Sequence, residues 1–137
     1  MDFQITDHIE ENDRAEILDG LVEYNLARIE DKNPKKLGIY LRDKQENIIA
    51  GLIGETHGNW LMIEFLWVDE RLRGQHIGSQ ILEEAESTGK KRGCKFVFLD
   101  TFSFQAPLFY KKHGYQEAFT LHEYPLTQKR FFFTKKL

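Results

Sequence analysis

The junction between Trp60 and Ser79 constrains the fold more than any other stretch. Trp60 to Val68 is a run of large apolar residues interrupted only by Glu64, the pattern of a central strand covered on both faces. Ile77, Ile81, Leu82 and Ala85 then recur at helical spacing, and Lys90, Lys91, Arg92 and Gly93 form a stop that complements the helix dipole. Between the two lies Arg71-Leu72-Arg73-Gly74-Gln75-His76-Ile77-Gly78-Ser79. A glycine-containing turn that opens a helix aims several backbone N–H groups at one point, where the dipole adds positive potential. The segment therefore predicts a site for a phosphate or pyrophosphate. It contains neither G-x-x-x-x-G-K-[ST] nor G-x-G-x-x-G, which excludes the Walker loop and the dinucleotide fingerprint. The competing reading is a plain strand-to-helix turn whose glycines serve geometry alone.

The remaining segments fit around that unit. Phe3 to Thr6 has strand character, and Asp7 with Glu10 has the spacing of a capping box. Ile17, Leu18, Leu21, Val22, Leu26 and Ile29 predict one apolar helical face ending before Asn33-Pro34. Asn25 falls within that stripe, as a packing amide or as a group facing a substrate cleft. Leu37 to Leu41 and Ile48 to Ile53, joined by the polar turn Asp43 to Asn47, predict a hairpin. After the stop at Gly93, Lys95 to Leu99 predicts a strand and Gln105 to Lys112 a short helix ending at Gly114. Gln116 to Leu121 and Lys129 to Thr134 predict two closing strands. The order β, α, β, β, β, α, β, α, β, β predicts an α/β fold: a mixed sheet with helices on both faces.

Composition narrows the function. A chain of 137 residues with 41% hydrophobic and 30% charged residues is expected to form one globular domain spanning 1–137. Its net charge of -3 supplies no broad basic surface, which argues against nucleic acid as partner. No stretch has the length and apolarity of a membrane span. The single cysteine, Cys94, has no partner for an internal disulfide and reads as a small buried hydrophobe. Met1 leads into the acidic Asp7, Glu10, Glu11 and Asp13 rather than a basic patch and apolar run, so the expected location is cytoplasmic. His8, His57, His113 and His122 lack metal-ligand spacing and read as surface histidines, so no metal is expected. Lys129, Arg130, Lys135 and Lys136 flank Phe131-Phe132-Phe133 and read as the charged borders of a closing strand. That late edge offers a homodimer contact, although monomers also manage such edges.

Leu66-Trp67-Val68 followed by Arg73-Gly74-Gln75-His76-Ile77-Gly78 resembles the R-x-x-G-x-G acetyl-CoA motif of the GNAT (GCN5-related) N-acetyltransferase superfamily. Phe104-Gln105-Ala106-Pro107-Leu108-Phe109-Tyr110-Lys111-Lys112-His113-Gly114-Tyr115 resembles that family's second motif, in the expected order. The resemblance spans essentially the whole chain and implies a mixed, mostly antiparallel sheet splayed at the cofactor site. His76 departs from it by standing where the first motif glycine is usual. The expected arrangement is an ordinary helical backbone at His76 with the side chain turned away. The alternative is an imidazole that crowds or hydrogen-bonds the pyrophosphate.

The resemblance implies an acetyl-CoA-dependent transfer of an acetyl group to a primary amine by direct attack. The backbone of Leu66, Trp67 and Val68 would pair with the pantetheine arm, and Arg73, Gly74, Gln75, His76, Ile77, Gly78 and Ser79 would hold the pyrophosphate. Tyr110 matches the general acid that protonates the departing thiolate. An alkylammonium must lose a proton before attack. Glu64, expected buried on the same alternate face as Leu66 and Val68, is the first candidate for the base, with Asp100 and Glu55 as competitors. Glu64 reads almost equally well as a group that only attracts a cationic substrate. Asn25, Trp60 and Asp100 are expected at the acceptor cleft, bordered by Leu21 to Asn25, His57 to Trp60 and Tyr124 to Arg130. The contrasting reading is a non-catalytic module that binds CoA or serves only as an interaction surface.

Overall fold

The computed structural model describes residues 1–30 and 33–137. Two compact units divide the chain, residues 1–32 and 33–137. The first holds helix α1, Glu11–Leu26, capped by the extended backbone of Glu10 without a side-chain bond. The predicted capping box does not form. Thr6 Oγ1 instead accepts the His8 N–H at 3.0 Å, a turn that uses the local hydroxyl before the helix begins. Residues 3–6 are exposed and form no strand, so water rather than a ladder meets their backbone groups. Ile17, Leu18, Leu21, Val22 and Leu26 of the predicted stripe lie on α1, which ends before Ile29, and none of the helix's residues is buried. Asn25 sits in its last turn, where its carbonyl accepts the N–H groups of Arg28 and Ile29.

The second unit is one six-stranded sheet. Its strands are β1 Lys35–Arg42, β2 Ile48–His57, β3 Trp60–Val68, β4 Phe96–Phe102, β5 Gln116–Leu121 and β6 Arg130–Lys136, in the order β1-β2-β3-β4-β6-β5. All neighbours are antiparallel except β3 and β4. The β1–β2 turn forms as its polar residues demand: Asp43 Oδ1 accepts the N–H groups of Gln45 and Asn47, each at 2.9 Å. Helix α2, Ile77–Lys91, buries Ile81, Leu82, Ala85 and Gly89, and the predicted stop is in place, with Gly93 at φ 91°. Leu82, Leu52, Leu61, Val97, Leu99 and Phe133 are almost fully buried and form the core with Tyr110 of helix α3, Pro107–Lys112. Each large apolar side chain so buried contributes about 1.5–3 kcal/mol. Cys94 lies in this core, as expected.

Two features of the sheet prepare a site. Parallel pairing of β3 with β4 covers only Trp60 with Phe96, Leu61 with Val97 and Met62 with Phe98. Beyond Met62 the strands separate, which leaves one edge of Leu66 to Val68 unpaired while the other stays bonded to β2. The second feature is a bulge. Ile53 pairs with Phe65 but Gly54 pairs with Ile63, so Glu64 is an extra residue. The bulge slips the alternation: Leu61 and Ile63 are buried before it, and Leu66 and Val68 turn inward after it. Trp60, Met62, Glu64, Phe65 and Trp67 are exposed, so β3 is not covered on both faces as its apolar run suggests.

Candidate active site

A cavity of about 650 Å³ opens where β3 and β4 part. Its walls are the end of β3, the turn into α2, and the segment from Phe104 to His113 that carries α3. The turn is built locally. Asp69 accepts the Arg71 N–H at 2.9 Å and pairs with the Arg71 guanidinium at 3.0 Å, which holds the Asp69 carboxyl down to about 2 and closes the short 3-10 turn Glu70–Leu72. Gly74 follows at φ 82°, a conformation that suits a residue without Cβ. The first intrahelical bond of α2 runs from the Gln80 N–H to the His76 carbonyl at 3.0 Å. The N–H groups of Ile77, Gly78 and Ser79 therefore have no helical acceptor.

His76 corrects an expectation. It adopts the left-handed conformation, φ 61° and ψ 17°, at the N-cap of α2, rather than an ordinary helical one. The turn requires the geometry that a glycine would supply, and histidine takes it at a steric cost of roughly 1 kcal/mol. The side chain makes no capping bond and borders the cavity. Replacing His76 by glycine should therefore raise stability by about 1 kcal/mol in urea unfolding. An unchanged or lower midpoint would show that the imidazole makes a contact offsetting its strain.

The second wall is set by Gln105, whose Oε1 accepts the Phe102 N–H at 2.7 Å and the Thr101 hydroxyl at 3.2 Å. Pro107 then starts α3 at a position where its missing N–H costs nothing. Tyr110 is 8% exposed and packs edge-on against Phe109 and Tyr115. Among the described residues its hydroxyl has no hydrogen-bond partner, although the side chain lines the cavity. Burial, helped by the negative charge of Asp100, pushes the Tyr110 phenol up to about 12, so it keeps its proton at neutral pH.

Of the residues expected at the site, Leu66, Trp67, Val68, Arg73, Gly74, His76, Ile77, Gly78, Ser79 and Tyr110 all line this cavity. Gln75 belongs to the turn but does not line it. Glu64 does not line it either, and it is exposed on the bulge rather than buried, because the extra residue breaks its alternation with Leu66 and Val68. Trp60 lies at the far end of β3, its ring tilted by 32° against Phe96, and it lines a separate cavity. Eight steps of roughly 3.3 Å put it about 26 Å from Val68, away from the cavity that the motif residues line. Asp100 lies on β4 at the open end of the sheet, with Oδ2 bonded to Arg130 Nε at 2.7 Å, and Arg130 Nη1 donates to the Tyr124 hydroxyl at 3.3 Å. Asn25 belongs to the first unit. His113, read from sequence as a surface residue, lines the cavity with its Nε2 2.9 Å from Ser79 Oγ. Its spacing of three from Tyr110 and four from Phe109 was the available signal, since those steps share a helix face.

The lining carries Arg73, Lys112, His76 and His113 and no carboxylate, so it suits an anion. Bare N–H groups at the start of α2, an unpaired strand edge and a buried phenol together fit a long donor with a phosphate-bearing head and an extended amide arm.

The Acetyltransferase (GNAT) family model matches residues 3–115. An acetyltransferase from Agrobacterium fabrum is 34% identical over 121 residues, covering 88% of each chain. The blasticidin-S acetyltransferase of Streptomyces morookaense is 34% identical over 87 residues, 63% of this chain and 64% of its own. A crystal structure of an acetyltransferase from Agrobacterium tumefaciens superposes with a TM-score of 0.93 at 32% identity, over 100% of both chains.

Proposed function

The chain belongs to the GNAT acetyltransferase family, and with acetyl-CoA as its donor we propose that it transfers the acetyl group directly to a primary amine. The observation that carries the proposal is the parting of β3 and β4 beyond Met62, which exposes the Leu66 to Val68 edge in one cavity with the α2 turn and Tyr110. Acetyl-CoA supplies an activated thioester. The free edge of Leu66 to Val68 aligns the amide arm as an added strand would, and a backbone N–H there stabilises negative charge on the thioester oxygen. The N–H groups of Ile77, Gly78 and Ser79, with Arg73 and Lys112 nearby, hold the phosphates.

Tyr110 donates its phenolic proton to the departing sulfur. Its raised pKa ensures that the proton is present, and its burial aims it into the cavity rather than into bulk water. Glu64 removes the ammonium proton through water: it is exposed, two residues before Leu66, and has no ion-pair partner among the described residues. Asp100 has Oδ2 taken by Arg130, which leaves its other oxygen to accept from a cationic acceptor and orient it rather than to remove its proton.

The test is thiol release from acetyl-CoA across a panel of primary amines. Release that requires an amine and yields the N-acetyl product supports the reading. Tight acetyl-CoA binding with no turnover on any amine would replace it with the non-catalytic module.

A further inference from the structure

The tyrosine, the strand edge and the turn leave unexplained the polar pair at the back of the cavity. Ser79 is in the first turn of α2 and His113 is the C-cap of α3, 34 positions later, yet His113 Nε2 lies 2.9 Å from Ser79 Oγ and both side chains are partly buried. The main-chain N–H of His113 bonds to the Tyr110 and Phe109 carbonyls at 3.0 and 3.3 Å, which anchors the residue at the end of α3, and its imidazole packs on Phe109 at 4.7 Å between centroids. The histidine thus fixes the serine, and the pair ties together the two helices that form opposite walls.

A hydroxyl has one proton, so the direction of this bond decides what Ser79 offers the cavity. If Ser79 donates to an unprotonated Nε2, only oxygen lone pairs face an anion. If Nε2 carries the proton, Ser79 Oγ accepts from the ring and its own O–H is free to donate. The lining has cationic groups and no carboxylate, so an anion there selects the second arrangement.

We propose that His113 is a positioning residue for the donor: its Nε2–H holds Ser79 Oγ and turns the Ser79 hydroxyl proton toward a phosphate oxygen of acetyl-CoA. This rests on the acetyl-CoA reading of the cavity and adds to it a residue outside the glycine turn. Neither side chain is placed in the proton transfers.

The test is calorimetric titration of the full chain with acetyl-CoA, alongside turnover with S-acetylpantetheine, which has the thioester and amide arm but no phosphates. Ser79→Ala should raise the Kd for acetyl-CoA about tenfold, as expected for loss of a hydrogen bond to a charged group. His113→Leu should match it, and the double variant should be no weaker than the worse single variant. His113→Gln, which keeps an N–H donor of similar reach, should restore binding to within about threefold of wild type. With S-acetylpantetheine, which has no phosphate to hold, His113→Leu should lose much less in kcat/KM than it loses with acetyl-CoA. Equal losses with both donors would show that His113 only supports the fold, and would overturn the inference. So would additive effects of the two substitutions, or a wild-type Kd for His113→Leu. Failure of the wild type itself to bind acetyl-CoA would overturn the donor reading along with it, so the two failures are told apart by the first titration.

Discussion

Tyr110→Phe should lower kcat by about 10²- to 10⁴-fold, the range for removing a general acid, while the Kd for acetyl-CoA changes less than about threefold. The substitution removes one oxygen and keeps the ring that packs on Phe109, Tyr115 and Phe133, so the core and the cavity wall survive. Because the phenol titrates near 12, the wild type should show no alkaline loss of rate below about pH 11, and its acid limb should follow deprotonation of the amine. Stability carries the same signature. The native pKa lies above the unfolded value of about 10, so the contribution of Tyr110 is whole below pH 10 and is lost as pH rises toward 12, where the unfolded chain ionises first. Tyr115, buried and bonded to Glu86 at 2.7 Å, is also pushed up, so Tyr110→Phe should flatten this alkaline loss rather than abolish it. Equal decreases in kcat and in acetyl-CoA affinity would contradict the acid role.

Gly54→Ala should be the most damaging single methyl addition near the site. Gly54 pairs with Ile63 beside the bulge, and a Cβ there would stand 2.6 Å from the Met62 carbonyl oxygen, a backbone atom of the central strand that cannot swing aside. Overpacking of this kind costs about 3 kcal/mol, which for a chain of this size lowers Tm by on the order of 10 °C. The alternative to that loss is a shift of β3, which moves the Leu66 to Val68 edge. Acetyl-CoA affinity should therefore fall along with stability, measured by calorimetry below the new melting range. Wild-type affinity in a folded Gly54→Ala protein would show that the bulge does not set the donor-binding edge.

These two positions also show what was legible in the sequence. The strand, turn and helix from Trp60 to Lys91 read correctly because each step has a local cause: apolar β-formers, a glycine with positive φ, an amphipathic stripe and a basic stop. That Tyr110 lines the cavity is legible only through the motif, since a tyrosine beside a phenylalanine otherwise reads as packing. Glu64 was misread because strict alternation assumes no bulge, and Gly54, the partner that permits one, lies in another strand. Phe3 to Thr6 has strand composition, but a strand also needs a neighbour, which composition does not encode. The left-handed backbone of His76 follows from the turn's demand rather than from histidine's own preference. His113 reads as a surface histidine because its partner Ser79 is 34 positions away and their meeting depends on how α2 and α3 converge. Trp60 is on β3 as its apolar run implies, but at the end paired with β4, where it lines a separate cavity.

Direct transfer to an amine held at the parting of β3 and β4 leaves no acetyl group on the protein at any stage. Thiol release from acetyl-CoA, followed with and without a primary amine together with the intact mass of the protein in each mixture, separates this from transfer through the protein. Release should occur only when the amine is present, with the acetyl group recovered on the amine and the protein mass unchanged throughout. Stoichiometric release without amine, with the acetyl group carried on the protein and then passed on, would contradict direct transfer.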